Sequence, residues 1–416
     1  MRAYRGTILN PRSENRCAFY EDGLLVVNDA GQVGAIGPTQ AVAKRFGRES
    51  LELVEFNPAP LILPAFTDIH LHWVQNRVKG AAQGQGLLPW LSDCVWPEEA
   101  RFANAGYAKE SATQFFRDLA RNGTMAGAVF SSIHESALEA FVPAFGHFLV
   151  GNVMMTQNSP ASLTQEEEAA LAITERWAAK MKPNGARLRY AVTPRFAPTC
   201  SMAAMKKAGQ LAQRRECFVQ THLAENLDEV AWVHKLFPDC RSYTEVYERA
   251  GLLGPRTLLG HCIYLDDEEL ALLKTADAVV AHCPTSNEAL ASGRMPIERI
   301  QQAGIRWALA SDIAAGPSLS MLHVMKTFLR VHAAAGLRFT PVESLYRATL
   351  GGAAVLGLAD RGGNLDIGKE ASFILLQHPG SSAHDANEAL TALLAMADSD
   401  FAPLTRAAFF RGSSLF

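Results

Sequence analysis

The chain has 416 residues, of which 48% are hydrophobic and 19% charged, and its formal net charge is -3. That balance suits a soluble globular protein with a sizeable core and gives no electrostatic case for a nucleic-acid or anionic-membrane partner. The seven cysteines include no Cys-x-x-Cys pair, no apolar run approaches the ~18 residues of a membrane span, and the N-terminus lacks an apolar signal core, so reduced thiols and a cytoplasmic location are expected.

Up to Asn57, short β-like segments alternate with turns at 23–27, 32–36 and 51–56. From Leu61 the pattern changes to apolar runs alternating with amphipathic stretches, the signature of parallel βα units. The runs 61–70, 125–130, 148–154, 188–193, 218–222, 258–261, 278–282 and 307–311 predict eight strands, enough for a closed (β/α)8 barrel. Thr164 to Glu167 reads as a capping box, and Asp266 to Glu269 places acid at a helix start. Residues 76–102 form a long insertion rich in glycine and tryptophan directly after the first strand, where loops over a barrel mouth carry function. After Gly368 the β character returns, so the two ends of the chain are expected to pair into one small domain.

The chemistry is concentrated at the predicted strand ends, the face on which a parallel barrel carries its active site. His70 and His72 end the first strand, two residues apart and therefore on one face; His222 ends the fifth, His261 the sixth, and Asp312 follows the eighth. Imidazoles with a carboxylate make a nitrogen/oxygen set for a divalent ion such as zinc, with a position left for water. Glu225, three residues beyond His222, is placed to take a proton from that water and pass it to a leaving nitrogen.

The segments Pro64 to His72, Thr221 to Glu225, Gly260 to Cys262, His282 to Asn287 and Ser311-Asp312 together resemble the amidohydrolase superfamily, specifically its aminohydrolase branch, over nearly the whole chain. The resemblance implies a distorted (β/α)8 TIM barrel at 61–367 and a small β-sandwich domain from 1–60 and 368–416. It also implies metal ligands His70, His72, His222 and Asp312, with His261 on the metal-bound water and Glu225 as proton shuttle. Binuclear members carry a bridging lysine on strand four; residues 188–193 contain none, which favours one ion per chain, zinc or alternatively iron(II). A homodimer is implied in the same way.

Around the mouth, Gln75 offers an amide donor and acceptor, and Arg195-Phe196 a guanidinium beside an aromatic face, suited to a planar heterocycle. With Trp90 and the Trp96-Pro97-Glu98-Glu99 element, these residues resemble the members of the branch that act on guanine. That resemblance implies hydrolytic deamination of the ring by a metal-activated hydroxide, with Gln75, Trp90, Arg195, Phe196 and His261 binding substrate. The alternatives are a related ring (a pterin, 8-oxoguanine or a triazine) and, in another class, a catalytically silent binding protein.

Overall fold

The computed structural model describes residues 1–46, 51–82, 84–181, 186–380 and 383–416. These residues form two compact units, one combining Met1–Asp68, Arg117–Ala126 and Leu319–Phe416, the other Ile69–Phe116 and Gly127–Ser318.

In the first unit both ends of the chain build one eight-stranded sheet. Leu61–Pro64 lies between Arg2–Ser13, to which it is parallel, and Phe373–Leu376, to which it is antiparallel. Arg16–Val27 and Val33–Pro38 extend one side and Thr405–Phe410 the other. Arg2–Ser13 is absent from the segments expected on the sequence, for a physical reason: six consecutive residues, Thr7 to Arg12's neighbour Pro11 and Gly6 before them, are buried, so the strand lacks the polar/apolar alternation that marks a one-sided strand. The Tyr4, Phe373 and Phe409 rings meet within 4.9 Å in its core.

The parallel sheet runs from Arg306–Leu309 through Val279–His282, Thr257–His261, Phe218–Leu223, Leu188–Pro194, His147–Gly151 and Thr124–Phe130 to Phe66–His72. Past the short eighth strand, Asp312 N–H donates to the His70 carbonyl (2.9 Å) and His72 N–H to that of Ile313 (2.8 Å), which brings the last strand to the first and nearly closes a distorted (β/α)8 barrel. Inside, Gln220 donates through Nε2 to the Val129 carbonyl (2.9 Å) and to Thr193 Oγ1 (3.0 Å), so one buried amide ties three strands together.

Several local expectations are corrected. The run 61–70 is two strands, Leu61–Pro64 in the small sheet and Phe66–His72 in the barrel, separated at Ala65 just after Pro64, which has no N–H for a ladder. The run 148–154 is His147–Gly151 followed by Val153–Met154, interrupted at Asn152. The capping box at Thr164 does not form: the helix is Glu167–Lys180, and Thr164 Oγ1 bonds the Ser159 and Pro160 carbonyls instead, a local competition open to any threonine hydroxyl. At Asp266 the box does form, with Glu269 returning to the Asp266 N–H. The insertion at 76–102 is mostly short helical turns, Trp73–Val78, Leu87–Trp90, Leu91–Val95 and Trp96–Ala100, rather than irregular loop.

Gly151 marks a close contact between two barrel strands: a Cβ there would lie 2.0 Å from the Ala191 carbonyl oxygen and 2.1 Å from Thr193 Oγ1. Backbone cannot swing aside as a side chain does, so Gly151→Ala is expected to destabilise the fold by at least the ~1–3 kcal/mol of ordinary overpacking. Denaturant unfolding checks this, and a midpoint equal to wild type would show that the strands separate without cost.

Candidate active site

The strand ends deliver the site. His222 pairs in register with Gly260 and Leu223 with His261, so the fifth and sixth strands end level. Gly260 leaves room for a neighbour: the His70 ring packs where its side chain would be, with Cε1 2.7 Å from an ideal Cβ. Beyond these ends the backbone turns sharply at Ala224, His261, Cys262 and Asp312, whose φ values of 50°, 72°, 53° and 49° are uncommon for residues other than glycine. Such conformations cost of order 1–3 kcal/mol each and cluster at functional sites.

His70, His222, His261 and Asp312 each place one ligand-capable atom within 4.8 Å of the others, and all four are buried. His72 joins through two of them, with Nε2 3.0 Å from His222 Nε2 and 3.5 Å from Asp312 Oδ1. Asp312 Oδ1 is also 3.4 Å from His70 Nε2, and its Oδ2 is 3.7 Å from His261 Nε2. The Phe130 ring backs His70, His72 and His222 at 4.5–4.9 Å between centroids, keeping water off that side.

Neighbouring groups orient each member. His222 Nδ1–H donates to the Arg195 carbonyl (2.7 Å), which leaves an Nε2 lone pair facing the cluster. His261 Nδ1 bonds Asn287 Oδ1 at 2.9 Å, again turning Nε2 inward. Ser286 Oγ–H donates to Asp312 Oδ2 (2.6 Å). Burial drives the His72 and His222 imidazoles well below the usual histidine range, so both are neutral. Asp312 is held below the usual carboxylate range: burial alone opposes this, but the surrounding His70, His261 and His72 outweigh it.

This donor set fits a divalent cation. Two neutral imidazole nitrogens 3.0 Å apart match roughly the spacing of adjacent ligands at ~2.0–2.1 Å from one ion, and an ionised carboxylate completes the charge. Glu225 stands beside the set, with Oε2 3.3 Å from His261 Nε2 and Oε1 accepting from Ser292 Oγ (3.3 Å). Burial, reinforced by Asp312 and Glu229, pushes its carboxyl well above the usual range, which makes it ready to accept a proton. Glu229 fixes it from behind by accepting the Glu225 N–H (2.8 Å), and Tyr243 O–H in turn donates to Glu229 (2.8 Å).

A cavity opens from this cluster, lined by His72, Gln75, Trp90, Arg195, Phe196 and Glu225, with Leu87, Leu91 and Leu290 as apolar walls. Every substrate-binding residue expected on the sequence except the deeper His261 therefore borders it. Arg195 is 3% exposed, and its Nη1 donates to Glu99 Oε1 (2.7 Å) and Oε2 (2.9 Å). Gln75 Nε2 donates to the same Glu99 Oε1 (2.8 Å). Sequence reasoning gave no role to Glu99, Asn287, Ser286 or Glu229. The first sits in a doubly acidic helix start that looks like ordinary dipole complementation, and the others lie within or beside quoted motifs whose spacing identifies ligands but not their supports.

The chain is also similar to known proteins in sequence and in fold. The chain is 36% identical over 377 residues to guanine deaminase of Escherichia coli (strain K12), covering 89% of this chain and 85% of that one. The solved structure of E. coli guanine deaminase superposes with a TM-score of 0.93 at 31% identity, covering 100% of this chain and 99% of that one. Guanine deaminase from C. acetobutylicum, solved with guanine bound in its active site, gives 0.89 at 29% identity, with 100% of both chains covered. Residues 61–404 match the amidohydrolase family, and the chain belongs to it.

Proposed function

We propose that the chain catalyses the hydrolytic deamination of guanine to xanthine and ammonia. The observation that carries this reading is the convergence of four imidazoles, Asp312 and a proton-ready Glu225 on one end of a cavity whose other side presents Gln75, Arg195 and Phe196. His70, His72, His222 and Asp312 would hold one divalent ion, zinc by the chemistry of the donors, and such an ion supplies a Lewis acid that makes water acidic near neutral pH.

The chain's own groups account for the remaining chemistry. Phe196 and Trp90 enclose the planar ring, while Arg195 faces the O6 and N7 acceptors and leaves the C2 amino group toward Glu225. Glu225 takes a proton from water as its oxygen bonds to C2. It then delivers that proton to the amino nitrogen, the C2–N bond breaks, and ammonia departs. His261, 3.3 Å from Glu225, and Asp312, 3.7 Å from His261, hold the attacking oxygen between them by hydrogen bonding. The seven free cysteines favour a reducing compartment such as the cytoplasm, and assembly as a homodimer rests on the family resemblance.

Four outcomes are expected. Metal analysis should find about one ion per chain, and chelation should abolish ammonia release until metal is restored. Gly260→Ala, which displaces His70, should lose most of its metal while keeping its secondary structure, as paired metal analysis and circular dichroism would reveal. Glu225→Gln should lower kcat by roughly 10²-fold or more with metal retained, because the amide cannot accept the proton; near-normal turnover would remove Glu225 from the mechanism. Arg195→Met should reduce kcat/KM for guanine at least about tenfold. It should also lower the melting temperature, since Glu99 is left buried without its cation.

A further inference from the structure

Behind Gln75 and Arg195, which line the cavity, lies a polar residue that does not border it. Glu99 is fully buried, and its carboxylate accepts three hydrogen bonds: two from Arg195 Nη1 and one from Gln75 Nε2. A carboxylate whose two oxygens are both engaged by a guanidinium has no proton to give, so it is an acceptor only. That removes an ambiguity in Gln75. A glutamine amide can ordinarily present either end to a ligand, but only its NH2 can face an acceptor-only partner, so the Oε1 end is forced the other way. Among the described residues, the donor to Oε1 is the Ala314 N–H at 3.5 Å, a weak contact that leaves the oxygen able to accept from a ligand.

Resting on the guanine reading, we infer that Glu99 is a positioning residue that sets the polarity of the substrate-reading edge: it holds Arg195 as a donor and Gln75 as an acceptor, side by side. The edge so formed is complementary to a ring carrying an oxo acceptor next to a ring N–H, as O6 and N1–H are in guanine. It opposes a ring with an amino donor next to a bare ring nitrogen, as in adenine, where Arg195 would meet a donor and Gln75 Oε1 an acceptor. Both mismatches fall in a dry site, where unmet polar groups are most costly.

The test uses two ligands that lack the 2-amino group and so cannot react at C2: hypoxanthine, which carries the oxo/N–H edge, and adenine, which carries the reverse. Dissociation constants for both are measured by calorimetry on the metal-loaded protein. Wild type should prefer hypoxanthine by at least about 100-fold. Glu99→Gln, whose amide can turn either face to Gln75, should cut that preference at least tenfold. Glu99→Asp keeps an acceptor-only carboxylate and should hold the preference within about threefold even if both affinities fall.

A role confined to stability would weaken both ligands by the same factor and leave the preference intact, which would overturn the inference. If Glu99→Gln does not fold, Gln75→Met removes the acceptor without stripping Arg195 of its counter-ion; it too should flatten the preference, and an unchanged preference would equally overturn the inference. The two readings fail separately. Ammonia release from guanine with a preference insensitive to Glu99 defeats this inference alone, whereas a Glu99-dependent preference in a protein inert toward guanine defeats the functional reading alone.

Discussion

The hydrogen bond from the Asp312 N–H to the His70 carbonyl is the constraint on which the site depends. It joins the segment after the eighth strand to the first strand and, through the same two residues, sets a carboxylate against an imidazole. The backbone of Asp312 pays a left-handed conformation for this, as do Ala224, His261 and Cys262 at the ends of the fifth and sixth strands. Each turn of that kind is unfavourable alone and persists because the strands on either side over-determine it. The chemical groups are therefore presented from the barrel strand ends themselves.

Burial does the electrostatic work. The same removal of water that keeps His72 and His222 neutral, and so able to donate lone pairs, raises Glu225 until it readily holds a proton. Asp312 goes the other way because, although burial opposes it, the imidazoles of His70, His261 and His72 around it outweigh that cost. Two acids about one imidazole apart are thus driven toward opposite protonation states, one suited to hold a cation and the other to move a proton.

Much of this was legible in the sequence because strand ends punctuate it: an apolar run stopping at a histidine or an aspartate is visible without coordinates, and five such residues at the ends of four parallel strands must share a face. The supports were not legible, since Glu99 is one of two adjacent glutamates and no pattern distinguishes Glu99, locked between Arg195 and Gln75, from Glu98, which pairs with Arg101 and Tyr107. Strand Arg2–Ser13 escaped for the opposite reason, being too uniformly buried to alternate. Thr164 misled because a hydroxyl near a helix start has carbonyl partners that compete with the cap.

The placement of Leu61–Pro64 also bears on how the protein is made. Its two sheet neighbours are Arg2–Ser13, translated before it, and Phe373–Leu376, translated only after the barrel strands. On the ribosome, the strand that leads straight into His70 and His72 must wait with one edge unpaired while the whole barrel sequence emerges. The small sheet is then a late closure, sealed only once Phe373–Leu376 has emerged, and a chain cut before that strand leaves an apolar edge open however well the catalytic strands have formed.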